Sequence, residues 1–292
     1  GTLFASIEHG HNILIEKPLA TNAVESAKII AAAEKAEADL VVGYTQRFRR
    51  RWLVARDQVT SGQLGDITSA TTRAFLNRLI AIERLEPNED RSMLTPMVVS
   101  GTHALDLMLW VMGGAEPNEV YARSGGNVLA GLGTIDSTFS IFSFDDGKLW
   151  NMSCCWGLPE QWPAATYSME IGLIGTKGVL TIDDTHSDIV LATEERHQTH
   201  RKGRDDKHVS FLTSYPPGEF IDGQFWGPMR EETNSWFSRI YTGAKTPHAT
   251  GIEGHRDLLL TMACDLSAKR KKPVSLPISE EELQDELRMT NK

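Results

Sequence analysis

Two short strings in the sequence carry residue types that could do chemistry. The first is Ile13-Leu14-Ile15-Glu16-Lys17-Pro18, an apolar run that ends on an acid, a lysine and a proline. A lysine at the carboxyl end of a buried parallel strand sits where ligands bind in open α/β sheets. There its ammonium could polarise a carbonyl or alkoxide oxygen, with a pKa that burial would lower. The bland alternative is a surface lysine at a strand end. The second string is Ser100-Gly101-Thr102-His103-Ala104-Leu105-Asp106. His103 and Asp106 lie three residues apart, on one face of an apolar helix. A histidine near a helix N-terminus tends to stay neutral, because the dipole disfavours imidazolium, and is then available as a base. Asp106 could orient it or bond elsewhere, and a satisfied structural histidine is the competing reading.

Weaker candidates follow. Arg47 could anchor a substrate anion or hydroxyl, or be a solvated charge at a helix start. Trp156 could flank a sugar pocket with its aromatic face, or pack in a core or interface. Cys154 and Cys155 lie in one strand and face opposite ways, so one is expected in the core. His197, His200 and His208 fall in a polar stretch without the support a zinc site needs, so no metal is expected. The glycine-rich stretches 125–133 and 172–178 do not follow a buried strand and open a helix, so both read as turns.

The elements that must position these residues begin with the end of a helix over 2–9, a strand over 12–16, a helix from an N-cap at Thr21 to about Ala36, and a strand over 40–44. That is the rhythm of a parallel α/β sheet. A helix from Arg47 to about Thr60 precedes a strand over 67–75. Residues 78–97, polar and holding Pro87 and Pro96, read as a long loop, and Gly101–Met112 as an apolar helix. Strands are expected near 118–124, 134–144, 148–156, 166–174, 178–183 and 188–193, with Asp145-Asp146-Gly147 as a hairpin turn. Residues 194–225 read as loop, and helices as 228–242 and 252–269. The fold class is therefore an α/β portion followed by an open, mainly antiparallel sheet with flanking helices. The division falls between residues 1–46 and 47–292.

The 292 residues are 40% hydrophobic and 24% charged, the balance of a soluble globular protein. Lysine plus arginine is 30 against 39 acids, a net charge of −9, which argues against a nucleic-acid partner. The apolar runs fall far short of the ~20 residues that span a bilayer. Three cysteines cannot pair completely, which favours a reducing, cytoplasmic compartment.

The ordered set Glu16-Lys17-Pro18, Gly43-Tyr44-Thr45-Gln46-Arg47-Phe48, Gly62-Gln63-Leu64-Gly65 and Gly101-Thr102-His103 resembles the glucose-fructose oxidoreductase, inositol dehydrogenase and MocA-like family. Residues 172–180 and 251–258 are also similar to it. The resemblance implies an NAD- or NADP-dependent oxidoreductase acting on a sugar, polyol or related hydroxy or keto substrate. It implies a Rossmann-like parallel sheet and a homodimer or homotetramer built through the open sheet. Lys17 would lie beside the nicotinamide and the reacting oxygen, and His103 would act as acid/base with Asp106 beside it. Glu16, Pro18, Tyr44 and Gln46 would shape the nicotinamide end, and Arg47, Trp156 and His103 would meet the substrate. Two departures stand out. Many members carry an aspartate four residues before the histidine, where this chain has Val99. The family's opening strand, Gly-x-Gly-x-x-Gly turn and helix have no counterpart before Ile13, so the expectation is a chain lacking that front, roughly 70–100 residues at ~30 per βαβ unit. A non-catalytic sugar-binding or oligomerisation module is the rival expectation.

Overall fold

The computed structural model describes residues 2–88, 93–183, 189–197, 207–212 and 217–288. Helix α1 (Thr2–Glu8) leads into strand β1 (Ile13–Glu16), helix α2 (Ala23–Lys35) and strand β2 (Leu40–Gly43). β1 and β2 pair in parallel, Ile13 opposite Leu40 and Glu16 opposite Gly43. Parallel neighbours need a crossover, and α2 supplies it by burying Ile29 and Ala33 against Leu40, Val42 and Tyr44. The N-cap of α2 is Asn22 rather than Thr21. Asn22 holds an extended backbone, and its side chain accepts from the Glu25 N–H at 3.0 Å.

The chain then runs through a 3-10 turn at Thr45–Phe48, helix α3 (Arg50–Thr60), strand β3 (Ile67–Asn77), helix α4 (Arg78–Leu85), a π turn at Met97–Gly101 and helix α5 (Thr102–Val111). Strands β4 (Glu119–Gly125), β5 (Ser137–Ser143), β6 (Leu149–Leu158), β7 (Thr166–Gly175) and β8 (Val179–Ile182) follow. Then come β9 (Ile189–His197), β10 (Lys207–Leu212), β11 (Glu219–Ile221) and β12 (Gln224–Trp226). Helix α6 (Pro228–Thr242), β13 (Ala249–Thr250), helix α7 (Gly251–Arg270), β14 (Val274–Ser275) and helix α8 (Glu280–Arg288) close the chain.

The large sheet has seven strands in the order β14-β4-β5-β6-β3-β7-β8. All its pairs are antiparallel except β3 with β6, which run parallel. One face is buried: Ala74, Phe142, Trp150, Met152 and Leu173 pack in one core with Trp52 of α3, Leu105 and Leu109 of α5, and Leu258 and Met262 of α7. Trp150 keeps its indole N–H satisfied on Thr72 Oγ1 at 2.8 Å. The turn at Asp145-Asp146-Gly147 joins β5 and β6, with Gly147 at φ 84° supplying the left-handed position.

α7 ties the two sheets together. Its capping box, Thr250 with Glu253, starts the helix as β13 pairs antiparallel with β2. At Gly254 a Cβ would meet Val42 Cγ2 at 2.6 Å, so only glycine lets the helix lie this close to β2. Further along, Ser267 Oγ accepts from the Ala122 N–H of β4 at 2.8 Å.

Three expectations need correction. The segment 78–97 is not one loop: α4 forms because Asn77 caps it, accepting from the Leu79 N–H at 3.0 Å, and because Ala81 and Leu85 bury against Trp156. The segment 194–225 contains the end of β9 and strands β10, β11 and β12, too short for their pattern to stand out in a polar stretch. The helix expected from Arg47 is instead the 3-10 turn followed by α3 from Arg50.

Candidate active site

β1 delivers Lys17 at its carboxyl end, and α5 delivers His103 from its first turn. Lys17 Nζ donates to the Val99 carbonyl at 2.6 Å. That carbonyl belongs to the π turn leading into α5, and π bulges recur at functional sites because they redirect backbone groups. Thr95 Oγ1 fixes the turn by accepting from the Val98 N–H at 3.1 Å, and it donates to Asp265 of α7 at 2.6 Å. From the sheet, Trp156 Nε1 donates to Ser100 Oγ at 2.8 Å, and Cys154 Sγ donates to the Pro96 carbonyl at 3.3 Å.

The electrostatics follow from this enclosure. Burial brings the Lys17 ammonium down to about 8, aided by the Arg84 guanidinium and opposed by the Glu16 carboxylate. Burial, then the charges of Lys17 and Arg84, push His103 well below its ordinary 6.5. His103 is thus a neutral imidazole, and its Nδ1 is buried without a hydrogen-bond partner. The Tyr44 ring stands edge-on to it, with centroids 6.2 Å apart.

The other expected site residues divide. Glu16 is exposed and Pro18 half-buried, both beside Lys17. Tyr44 and Gln46 are buried. Tyr44 Oη bonds Thr102 Oγ1 at 2.8 Å, and Gln46 Oε1 accepts from Arg49 at 3.2 Å.

Asp106 does not orient His103. It is 0% exposed and takes the Arg47 guanidinium in a two-pronged pair, Nε to Oδ2 at 2.9 Å and Nη2 to Oδ1 at 2.5 Å. Arg47 also reaches Glu253 at 3.0 Å and the Pro247 carbonyl at 3.3 Å. Arg47 is therefore neither a solvated charge nor a substrate anchor, because at 1% exposure its donors are spent inside the protein. Trp156 is likewise fully buried under α4, so it packs the core instead of flanking a sugar.

The glycine stretch at 125–133 does cradle an anion, but one of the chain's own. Asp136 accepts from the Val128 and Leu129 N–H groups, both at 2.7 Å, and a Cβ on Gly126 would collide with that carboxylate at 2.2 Å. His197 bonds Thr193 and Ser210, while His200 lies outside the described residues. Among the described residues no cluster of three or more His, Cys, Asp or Glu could hold a metal. Cys154 is in the core, Cys155 is half-buried, and both are free.

Sequence reasoning missed Arg84, Thr95 with Asp265, and Glu232. The first fell in the segment read as loop. Glu232 is a buried acid on α6 whose Oε2 accepts from Thr45 at 3.0 Å. Burial raises it to about 7, with no local pattern to announce it.

Residues 52–181 match the model of the GFO/IDH/MocA C-terminal domain. The myo-inositol 2-dehydrogenase of Thermotoga maritima is 23% identical over 274 residues, which is 91% of this chain and 72% of that protein. The D-glucoside 3-dehydrogenase of Escherichia coli is 29% identical over 175 residues, 60% of this chain and 43% of that protein. Among solved structures, the scyllo-inositol dehydrogenase of Lactobacillus casei with bound NAD(H) and scyllo-inositol superposes with a TM-score of 0.68. It is 15% identical, and the match covers 94% of this chain and 75% of that one. The fold is shared with these dehydrogenases.

Proposed function

We propose that the whole chain is a member of the GFO/IDH/MocA family and serves as an NAD- or NADP-dependent oxidoreductase on a sugar, polyol or related hydroxy or keto substrate. The observation that carries this reading is the pairing of a half-buried ammonium, Lys17, with a half-buried neutral imidazole, His103, at the carboxyl end of the parallel strands. In this reading Lys17, which spends one of its three N–H donors on Val99, shapes the nicotinamide end of such a cofactor together with its neighbour Pro18 and with Tyr44. When bound, the cofactor supplies the hydride acceptor or donor at nicotinamide C4. Lys17 holds the substrate oxygen and stabilises the charge it develops. His103 accepts the hydroxyl proton during oxidation and returns it during reduction. Asp106 takes no part in that transfer, and Val99 contributes its carbonyl where a side-chain carboxylate is absent.

Lys17→Ala and His103→Ala are each expected to cut turnover at least ~10²-fold, measured as NADH appearance with a polyol substrate. Wild-type turnover in both variants would end the assignment. The substitution of Val99 for a carboxylate favours a second reading, a non-catalytic sugar-binding or oligomerisation module. An NADH titration of the protein separates the two, because the module binds none.

The reading extends to assembly and location. The outer face of the large sheet exposes Phe139, Ile141, Leu149 and Ile174, which suits a homodimer or homotetramer formed through that sheet. Three free thiols suit a reducing, cytoplasmic compartment. No helix among the described residues is long and apolar enough to cross a membrane.

A further inference from the structure

The Val99 carbonyl that holds the Lys17 ammonium at 2.6 Å is a backbone atom, so its place depends on the segment around it. Thr95 starts that segment as a helix N-cap. Its hydroxyl accepts from the Val98 N–H at 3.1 Å, and its carbonyl accepts from the Val99 N–H at 3.0 Å. Pro96 takes the first helical position, where a missing N–H does no harm. The next turn is π, with the Thr102 N–H reaching back five residues to the Met97 carbonyl. Such turns are rare, and this one has partners on two other elements. Strand β6 supplies Cys154 Sγ to the Pro96 carbonyl at 3.3 Å and Trp156 Nε1 to Ser100 Oγ at 2.8 Å. Helix α7 supplies Asp265 Oδ2, which accepts the Thr95 hydroxyl proton at 2.6 Å.

Asp265 is the member that packing does not explain. Cys154 and Trp156 are core side chains in any case. Asp265 carries a carboxyl inside, and among the described residues its Oδ1 meets no hydrogen-bond partner. A buried acid with an unsatisfied oxygen lowers stability. What the carboxylate adds in return is its bond to Thr95. That bond takes the hydroxyl proton and leaves the lone pairs of Thr95 Oγ1 for the Val98 N–H, so the acid fixes which way the cap turns.

We propose that Thr95 and Asp265 are positioning residues, a two-member strut from α7 that holds the Val99 carbonyl in place and through it aims the Lys17 ammonium at the substrate oxygen. This rests on the oxidoreductase reading and adds to it the groups that orient its lysine.

The test uses the full chain with four single variants and one double. Thr95→Val and Asp265→Leu remove the bond, whereas Thr95→Ser and Asp265→Asn keep a hydroxyl and an accepting oxygen. With NAD and myo-inositol, Thr95→Val and Asp265→Leu should each lower kcat at least ~10-fold and leave KM for NAD within about twofold. The double variant should be no worse than either single, because the two act as one unit. Thr95→Ser and Asp265→Asn should stay within about threefold of the parent. A second readout needs no turnover. Acylation of Lys17 at pH 7, read by mass spectrometry against the exposed Lys35, should be at least ~3-fold faster in Thr95→Val and Asp265→Leu, because the ammonium loses the carbonyl that stabilises it. Parent-like kcat and acylation in those two variants overturns the proposal. So do losses that add in the double variant, a Thr95→Ser protein as poor as Thr95→Val, or acylation that rises equally at Lys17 and Lys35, which is general loosening. A parent protein that binds no NADH and turns over no inositol removes the oxidoreductase reading, and the acylation comparison then still decides whether the strut holds Lys17.

Discussion

Lys17 and His103 are tuned in the same direction by the same cause. Enclosure disfavours a positive charge on either, yet the two end in different protonation states, because an amine begins at 10.5 and an imidazole at 6.5. Near pH 7 the site therefore holds an ammonium beside a neutral imidazole, the division of labour that the proposed alcohol oxidation requires. The sign of the pH response follows. Raising the pH through about 8 removes the Lys17 proton and with it the oxyanion partner, so kcat/KM should fall on the alkaline side around that value. His103 charges only well below 6.5, so the profile should stay flat down through the ordinary imidazole range. A pH-rate profile from pH 5 to 10 checks both limbs. An acid limb near 6.5 would show that His103 is not held neutral.

At the scale of elements, the buried Arg47–Asp106 pair clamps the turn after β2 to α5, and Glu253 extends the clamp to α7. Removing one partner leaves the other charge uncompensated in the interior. Asp106→Ala should lose about 3–5 kcal/mol of stability in urea denaturation. The gentler Asp106→Asn should lower the thermal midpoint while leaving the alkaline limb of the pH profile in place. A shifted limb would restore Asp106 to the chemistry. The pair also marks where sequence reasoning stops. His103 and Asp106 at i and i+3 invited a local partnership, whereas the actual partner of Asp106 lies 59 residues earlier, a distance no helical spacing encodes. Periodicity did place β1, β2, α5 and the long strands, because each alternates or runs apolar over enough residues to be counted. It missed α4 because eight residues held by a cap and three buried side chains resemble loop when two prolines follow.

At the scale of the molecule, the apolar outer face of the large sheet is the feature to challenge. Ile141 and Phe139 on β5 are 45% and 52% exposed. An Ile141→Glu substitution should convert a dimer or tetramer to a monomer in analytical ultracentrifugation without moving the pH profile, and a native protein already monomeric at micromolar concentration would dismiss the interface. Part of the core was written in the sequence, since Phe142, Trp150, Met152 and Met169 of the strands are among the side chains that pack with α3, α5 and α7. The way α7 joins both sheets was not, because it depends on contacts of Gly254 with Val42 and of Ser267 with Ala122 that lie far apart in the chain. That joint has a mechanical consequence. A twenty-residue helix seated against both sheets is a stiff spar, so neither sheet can swing on the other without tearing a capped, close-packed helix from its bed. Backbone amides of α7, β2 and β4 should then exchange with deuterium as one slow unit.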